Sequence, residues 1–142
     1  MNKTKLFLLA LMAIVVAACA TDTVDGGAVS AETAVAKKLL NTSVGAMQGE
    51  LIIYVDEATA DHLAGVEVAT RSGLTEMDAV AEELSATDLR PVFNLKVNST
   101  QKREMGMHRW FVMNFPENAD LERAALRLAE VKAVERVQFS KQ

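Results

Sequence analysis

The sequence predicts an α+β fold: a four-stranded antiparallel sheet with two helices on one face. Three observations lead there. Leu51 to Val55 and Trp110 to Phe115 are dense in β-branched and aromatic residues, the composition of strands. Two other segments, one from Thr75 and one from about Asn118, repeat apolar residues at helical spacing. The segments follow one another as strand, helix, strand, strand, helix, strand.

Gly49 and Asp56 bracket Leu51-Ile52-Ile53-Tyr54-Val55, which reads as the first strand. Glu57 to Leu63 suits a short helical turn or two. Thr70-Arg71-Ser72-Gly73 reads as a loop. A helix begins at Thr75, where Asp78 makes a capping-box-like start, and Met77, Val80, Ala81 and Leu84 form its apolar stripe. Asp88 to Leu95 reads as the second strand. Pro91 has no N–H for a ladder, which places that strand at an edge or Pro91 early in it. Lys96 to Gly106 is polar and reads as a loop. Trp110 to Phe115 is the third strand. Pro116-Glu117-Asn118 closes it, with Asn118 or Asp120 as the N-cap of the next helix. There Leu121, Ala124, Ala125, Leu128 and Val131 face the core, and Glu122, Arg123, Arg127 and Glu130 lie off it. Val134 to Ser140 is the last strand. This βαββαβ order is the split arrangement of ferredoxin-like folds, and Gly49 to Gln142 is long enough for one core without staples.

Ahead of the domain, Lys3 and Lys5 precede an apolar run from Leu6 to Ala18, the layout of an export signal. A spanning helix needs about 20 apolar residues, more than this run supplies. The single cysteine, Cys19, follows Val16-Ala17-Ala18 in the pattern of a lipobox, where a thiol receives diacylglycerol and a peptidase cuts just before it. Ala18-Cys19-Ala20 also fits an ordinary signal cleavage site, the alternative reading. An exported chain with one unpaired thiol favours lipidation. One cysteine also excludes an internal disulfide and a multi-cysteine zinc site. The expected organisation is a lipoprotein signal over 1–18, a tether over 19–48 with a weakly helical stretch from Ser30 to Leu40, and the folded domain over 49–142. The chain is then an exported, membrane-anchored lipoprotein of the cell envelope, at the outer membrane or cell surface.

The formal net charge is −4, and the basic residues do not gather into a stripe with aromatics, so nucleic acid is not an expected partner. The chemical inventory is equally plain. His62 and His108 lie too far apart for a familiar metal motif. Ser72-Gly73 lacks a nucleophile elbow, no glycine-rich phosphate loop is present, and the carboxylates are scattered along solvated helix faces. Met77, Met105, Met107 and Met113 read as packing. No catalytic residue, cofactor or metal is expected.

The strands carry one anomaly. Leu51, Ile53 and Val55 are apolar on one side of the first strand, and so are Ile52 and Tyr54 on the other. Trp110 and Val112 oppose Phe111, Met113 and Phe115 in the same way. A sheet wet on one face alternates polar and apolar residues, so a second apolar face points to a partner; shielding by the leader is the alternative. Ile52, Tyr54, Phe111 and Met113 are the candidate interface set, with the register left open.

Gly49-Glu50-Leu51-Ile52-Ile53-Tyr54-Val55-Asp56, the Thr70–Gly73 loop and His108-Arg109-Trp110-Phe111-Val112-Met113-Asn114-Phe115 together resemble the amino-terminal propeptide of bacterial lipoprotein subtilases. These are subtilisin-family serine peptidases with a fervidolysin-like prodomain. Asp120-Leu121-Glu122, Val131 and Val134-Glu135-Arg136-Val137 are similar to its last helix and strand. The segments carrying the peptidase's Asp, His and Ser are not in this sequence. The resemblance implies a non-catalytic domain whose sheet packs on a peptidase domain, in cis or in trans. Its tail, here Phe139, Ser140, Lys141 and Gln142, would enter the substrate cleft as an added strand. It implies a folding template and temporary inhibitor. A free-standing lipoprotein inhibitor or protein-binding module, and a small-ligand-binding or regulatory domain, are the other readings.

Overall fold

The computed structural model describes residues 31–66 and 68–142. The expected signal over 1–18, Cys19 and the tether as far as residue 30 lie outside them. Ala34–Gln142 form one compact unit.

Strand β1, Ala46–Val55, starts earlier than its apolar run because Gly49 lets it bend. Gly49 has a φ of +70°, and a Cβ there would stand 2.7 Å from the Phe115 carbonyl oxygen. Only glycine fits this close approach, and the pairing of β1 with the last strand shifts between Ala46 and Leu51. Helix α1, Glu57–Leu63, is capped by Asp56, whose carboxylate accepts from the Thr59 N–H at 2.8 Å. Hydrogen bonding from Thr59 holds the Asp56 carboxyl below its ordinary pKa.

Helix α2, Thr75–Glu83, has Leu74 at its N-cap position and no side-chain cap. The capping box read at Thr75 and Asp78 therefore does not form. The Asp78 carboxylate turns back instead, accepting from the Ser72 N–H at 2.8 Å, the Ser72 hydroxyl and the Gly73 N–H at 3.0 Å. Strand β2, Asp88–Pro91, is shorter than expected and ends at the proline. Helix α3, Ser99–Glu104, stands where a loop was expected. It buries no side chain, so no apolar period announces it.

Strand β3, Trp110–Asn114, leads to helix α4, Leu121–Glu130, capped by Asp120 as expected. Leu121, Ala124, Ala125 and Leu128 on α4 are buried, and Val131 just beyond it. Strand β4, Val134–Lys141, closes the fold. The four strands form one sheet in the order β2-β3-β1-β4, every neighbouring pair antiparallel. The molecule is thus α+β, with a four-stranded antiparallel sheet and helices, and β2 with Pro91 is at an edge.

Register decides the faces. Leu51 pairs with Met113 and Ile53 with Phe111, so each pair shares a face. Leu51, Ile53, Val55, Leu89, Phe111, Met113, Val137 and Phe139 join Leu63, Met77, Ala81 and Leu128 of the helices in one core. Glu83 links α2 to α4 through Arg123 at 3.0 Å and Arg127 at 2.6 Å.

The stretch before β1 is helical over 31–38, as the Ser30–Leu40 reading expected, and from Ala34 onward it is docked, with Val35 and Leu39 packed against the core. Leu39 bridges Val137 in parallel, and the Leu40 N–H donates to the Val137 carbonyl at 2.9 Å. Asn41 brackets Phe139: its amide donates to the Phe139 carbonyl at 3.0 Å, and its carbonyl accepts from the Phe139 N–H at 2.8 Å. This segment satisfies backbone groups on the outer edge of β4.

Candidate functional site

The second face of the sheet is built from the residues that alternate with the core set. Ile52 pairs with Val112 and Tyr54 with Trp110, giving an apolar centre across β1 and β3. Ile52, Tyr54 and Trp110 are half-buried, whereas Val112, between Ile52 and Arg90 in register, is 5 % exposed. The Tyr54 and Trp110 ring centroids are 4.7 Å apart. Charged side chains and the Gly106 backbone stand close to this centre.

Three arginines stand there, and two of them are paired with glutamates. Arg109 lies over the Tyr54 ring at 4.3 Å and Arg136 at 5.6 Å, both within cation–π reach. Arg109 is fixed in place: its Nε donates to the Val55 carbonyl at 2.7 Å, and it pairs with Glu135 at 2.7 Å. Gly106, with a φ of +72°, passes so close that a Cβ would meet the Tyr54 hydroxyl at 3.0 Å. On the β2 side, Arg90 pairs with Glu50 at 3.3 Å, and Asn114 donates to Asp88 at 2.9 Å. An apolar aromatic centre inside a charged rim is the anatomy of a protein-binding surface.

The four residues expected to form this face divide between two faces. Ile52 and Tyr54 lie on it. Phe111 and Met113 are 1 % and 0 % exposed in the core, because β3 pairs them with Ile53 and Leu51. Trp110 and Val112 take their place. A shift of one residue in pairing exchanges the two sets, and runs apolar on both sides give no signal for choosing. The expected tail is divided too. Phe139, 4 % exposed, and Ser140 are buried within β4, Lys141 pairs with Ala46, and only Lys141 and Gln142 are exposed.

The histidines have local partners. His62 Nε2 lies 2.7 Å from the Ser72 carbonyl oxygen, to which it donates, and the Ser72 hydroxyl donates to Asp78. Serine, histidine and aspartate are thus neighbours, but no serine-to-histidine bond joins them as acyl-transfer chemistry requires; the bonds tie the Thr70–Gly73 loop to α1 and α2. His108 is buried at the end of β3, its Nε2 2.7 Å from Glu57 Oε1. Glu57, Asp61 and His108 each offer a ligand atom within 4.8 Å of the others. A cation already sits among them, because Arg103 pairs with Asp61 at 2.6 Å and with Glu57 at 3.7 Å. The Arg103 hydrogen bond holds the Asp61 carboxyl below its ordinary pKa.

Fold and face together define a small α+β domain whose sheet carries an aromatic patch with a rim of mixed charge. The chain matches no family model, no curated protein and no solved structure. Among the described residues, no helix is long and apolar enough to cross a membrane.

Proposed function

We propose that this chain is the propeptide of a secreted subtilisin-family serine peptidase, acting as folding template and temporary inhibitor of a peptidase domain in cis or in trans. The observation that carries the proposal is the second face, where Ile52, Tyr54 and Trp110 lie together, half-buried, beside Val112. The strand order β2-β3-β1-β4 supports assigning the sheet to the ferredoxin-like βαββαβ arrangement that the propeptide resemblance implies. In this reading the peptidase covers the second face, and the exposed Lys141 and Gln142 direct the chain toward its cleft as an added strand. The domain itself supplies binding energy and no catalytic group. It is exported and anchored to the cell-envelope membrane through a lipid on Cys19.

The test is inhibition of a purified subtilisin-family peptidase by the full chain. Ile52→Asp with Tyr54→Asp puts unpaired charge under the partner and weakens inhibition by several kcal/mol, while the chain stays folded by circular dichroism. Deleting Lys141 and Gln142 leaves docking largely intact and lowers inhibition. Inhibition indifferent to both changes overturns the peptidase reading and leaves a protein-binding module with another partner. Anchoring has its own test. Cys19→Ala abolishes labelling by a fatty-acid analogue and releases the protein from the membrane fraction; retained labelling refutes it.

A further inference from the structure

We infer that the cavity between α1, the segment after β2 and His108 is a binding site for a small amphiphilic carboxylate: one carboxylate head on an aliphatic or aromatic body. The cavity has a volume of about 570 Å³, within the range small-molecule sites occupy. Ala60 of α1 and Ala64 just past its end form one wall, and Phe93 and Leu95 from beyond β2 form another. Such a lining suits an apolar body.

The polar lining sets the sign of the head. Lys96, Arg103 and His108 line the cavity, and among the described residues no carboxylate does. Arg103 is largely neutralised by Asp61 and Glu57. Lys96 differs: its backbone N–H donates to Asn94 Oδ1 at 3.0 Å, but its ammonium has no hydrogen-bond or ion-pair partner among the described residues. An unmatched ammonium beside an apolar pocket complements an anion and repels a cation. His108 lines the inner wall: it is 5 % exposed and its Nε2 donates to Glu57 Oε1 at 2.7 Å, so its reach is turned to Glu57 and the sign of the head rests on Lys96. None of these residues belongs to the second face of the sheet, so the site stands or falls separately from peptidase docking.

The probes are octanoate, octylamine and octanol, titrated into the full chain and followed by the amide NMR shifts of Phe93, Asn94, Leu95, Lys96 and His108. Octanoate is expected to saturate with a Kd on the order of 0.1–1 mM, as suits about ten non-hydrogen atoms at modest efficiency. Octylamine is expected to bind at least tenfold more weakly by the charge argument. Lys96→Gln, at an exposed position, lowers octanoate affinity about three- to tenfold and leaves octanol unchanged. Ala64→Phe, which fills the cavity, abolishes the saturable shifts of both. Equal affinity for the acid and the amine, an unaffected Lys96→Gln variant, or shifts that do not saturate or that fall elsewhere would each overturn the inference.

Discussion

Along β1, Leu51, Ile53 and Val55 are sealed beneath helices, while Ile52 and Tyr54, the residues between them, are half-buried among arginines. Along β3 the same split separates Phe111 and Met113 from Trp110 and Val112. Residue type does not distinguish the two faces, since both are apolar. What lies across each face does. Helices that pack on a core are held by many simultaneous contacts, whereas an arginine laid on an exposed ring contributes only about 0.5–1 kcal/mol. The first cover is permanent and the second is removable. A face with a removable cover is partly shielded from water in the free chain and remains available to a partner.

The largest expected effect follows from that difference. Phe111→Ala empties a fully enclosed site and costs about 3–5 kcal/mol, read by urea unfolding. Trp110→Ala, one residue away, removes a larger ring from the half-covered face and costs about 1–2 kcal/mol. Under the proposed function its main effect falls on peptidase inhibition. Equal losses of stability would mean that both faces are core and that no surface is held in reserve.

Much of this was legible in the sequence, and the failures share a cause. The four strands, helices α2 and α4, Asp120 as one of two candidate caps, the edge position of Pro91 and the buried face of α4 all rest on local patterns that tertiary contacts did not override. The division of the sheet's faces was not legible. Apolarity on both sides of β1 and β3 leaves register undetermined, and register is fixed by pairings such as Leu51 with Met113. Helix α3 was invisible because it buries nothing. The helical character of Ser30–Leu40 and the apolar contacts of Val35 and Leu39 were legible, but the Asn41 anchor was not, since asparagine usually signals a turn. Asp78 was read as a cap for its own helix, and only the folded loop shows it serving Ser72 and Gly73 upstream.

The next effect tests how far the permanent cover extends. Phe139 belongs to the core face, and its backbone is held at the sheet edge by two hydrogen bonds with the Asn41 side chain, one donated and one accepted by Asn41. Asn41→Ala removes both and is expected to cost about 1–2 kcal/mol, with faster hydrogen exchange at Phe139 and unchanged exchange at Ile52. Unchanged exchange at Phe139 would mean that β4 holds its place without the leader.

The smallest effect is the most direct probe of the removable cover. Arg136 reaches the Tyr54 ring at 5.6 Å, whereas Arg109 sits closer and is tied to Val55 and Glu135. Of the two, Arg136 is the looser, so Arg136→Ala strips cover from the second face while the sheet keeps its ladder. The expected stability change is a few tenths of a kcal/mol, as for an exposed cation–π contact at the edge of its range. Exposure changes more than stability. The chain has one tryptophan and one tyrosine, and Trp110 and Tyr54 stand together on this face. Intrinsic fluorescence therefore reports on the second face alone, and acrylamide quenching of Trp110 is expected to rise in Arg136→Ala. If quenching stays the same while stability falls by more than about 1 kcal/mol, beyond the ordinary range of a surface substitution, Arg136 is a structural member of the fold. The second face would then be closed in its own right.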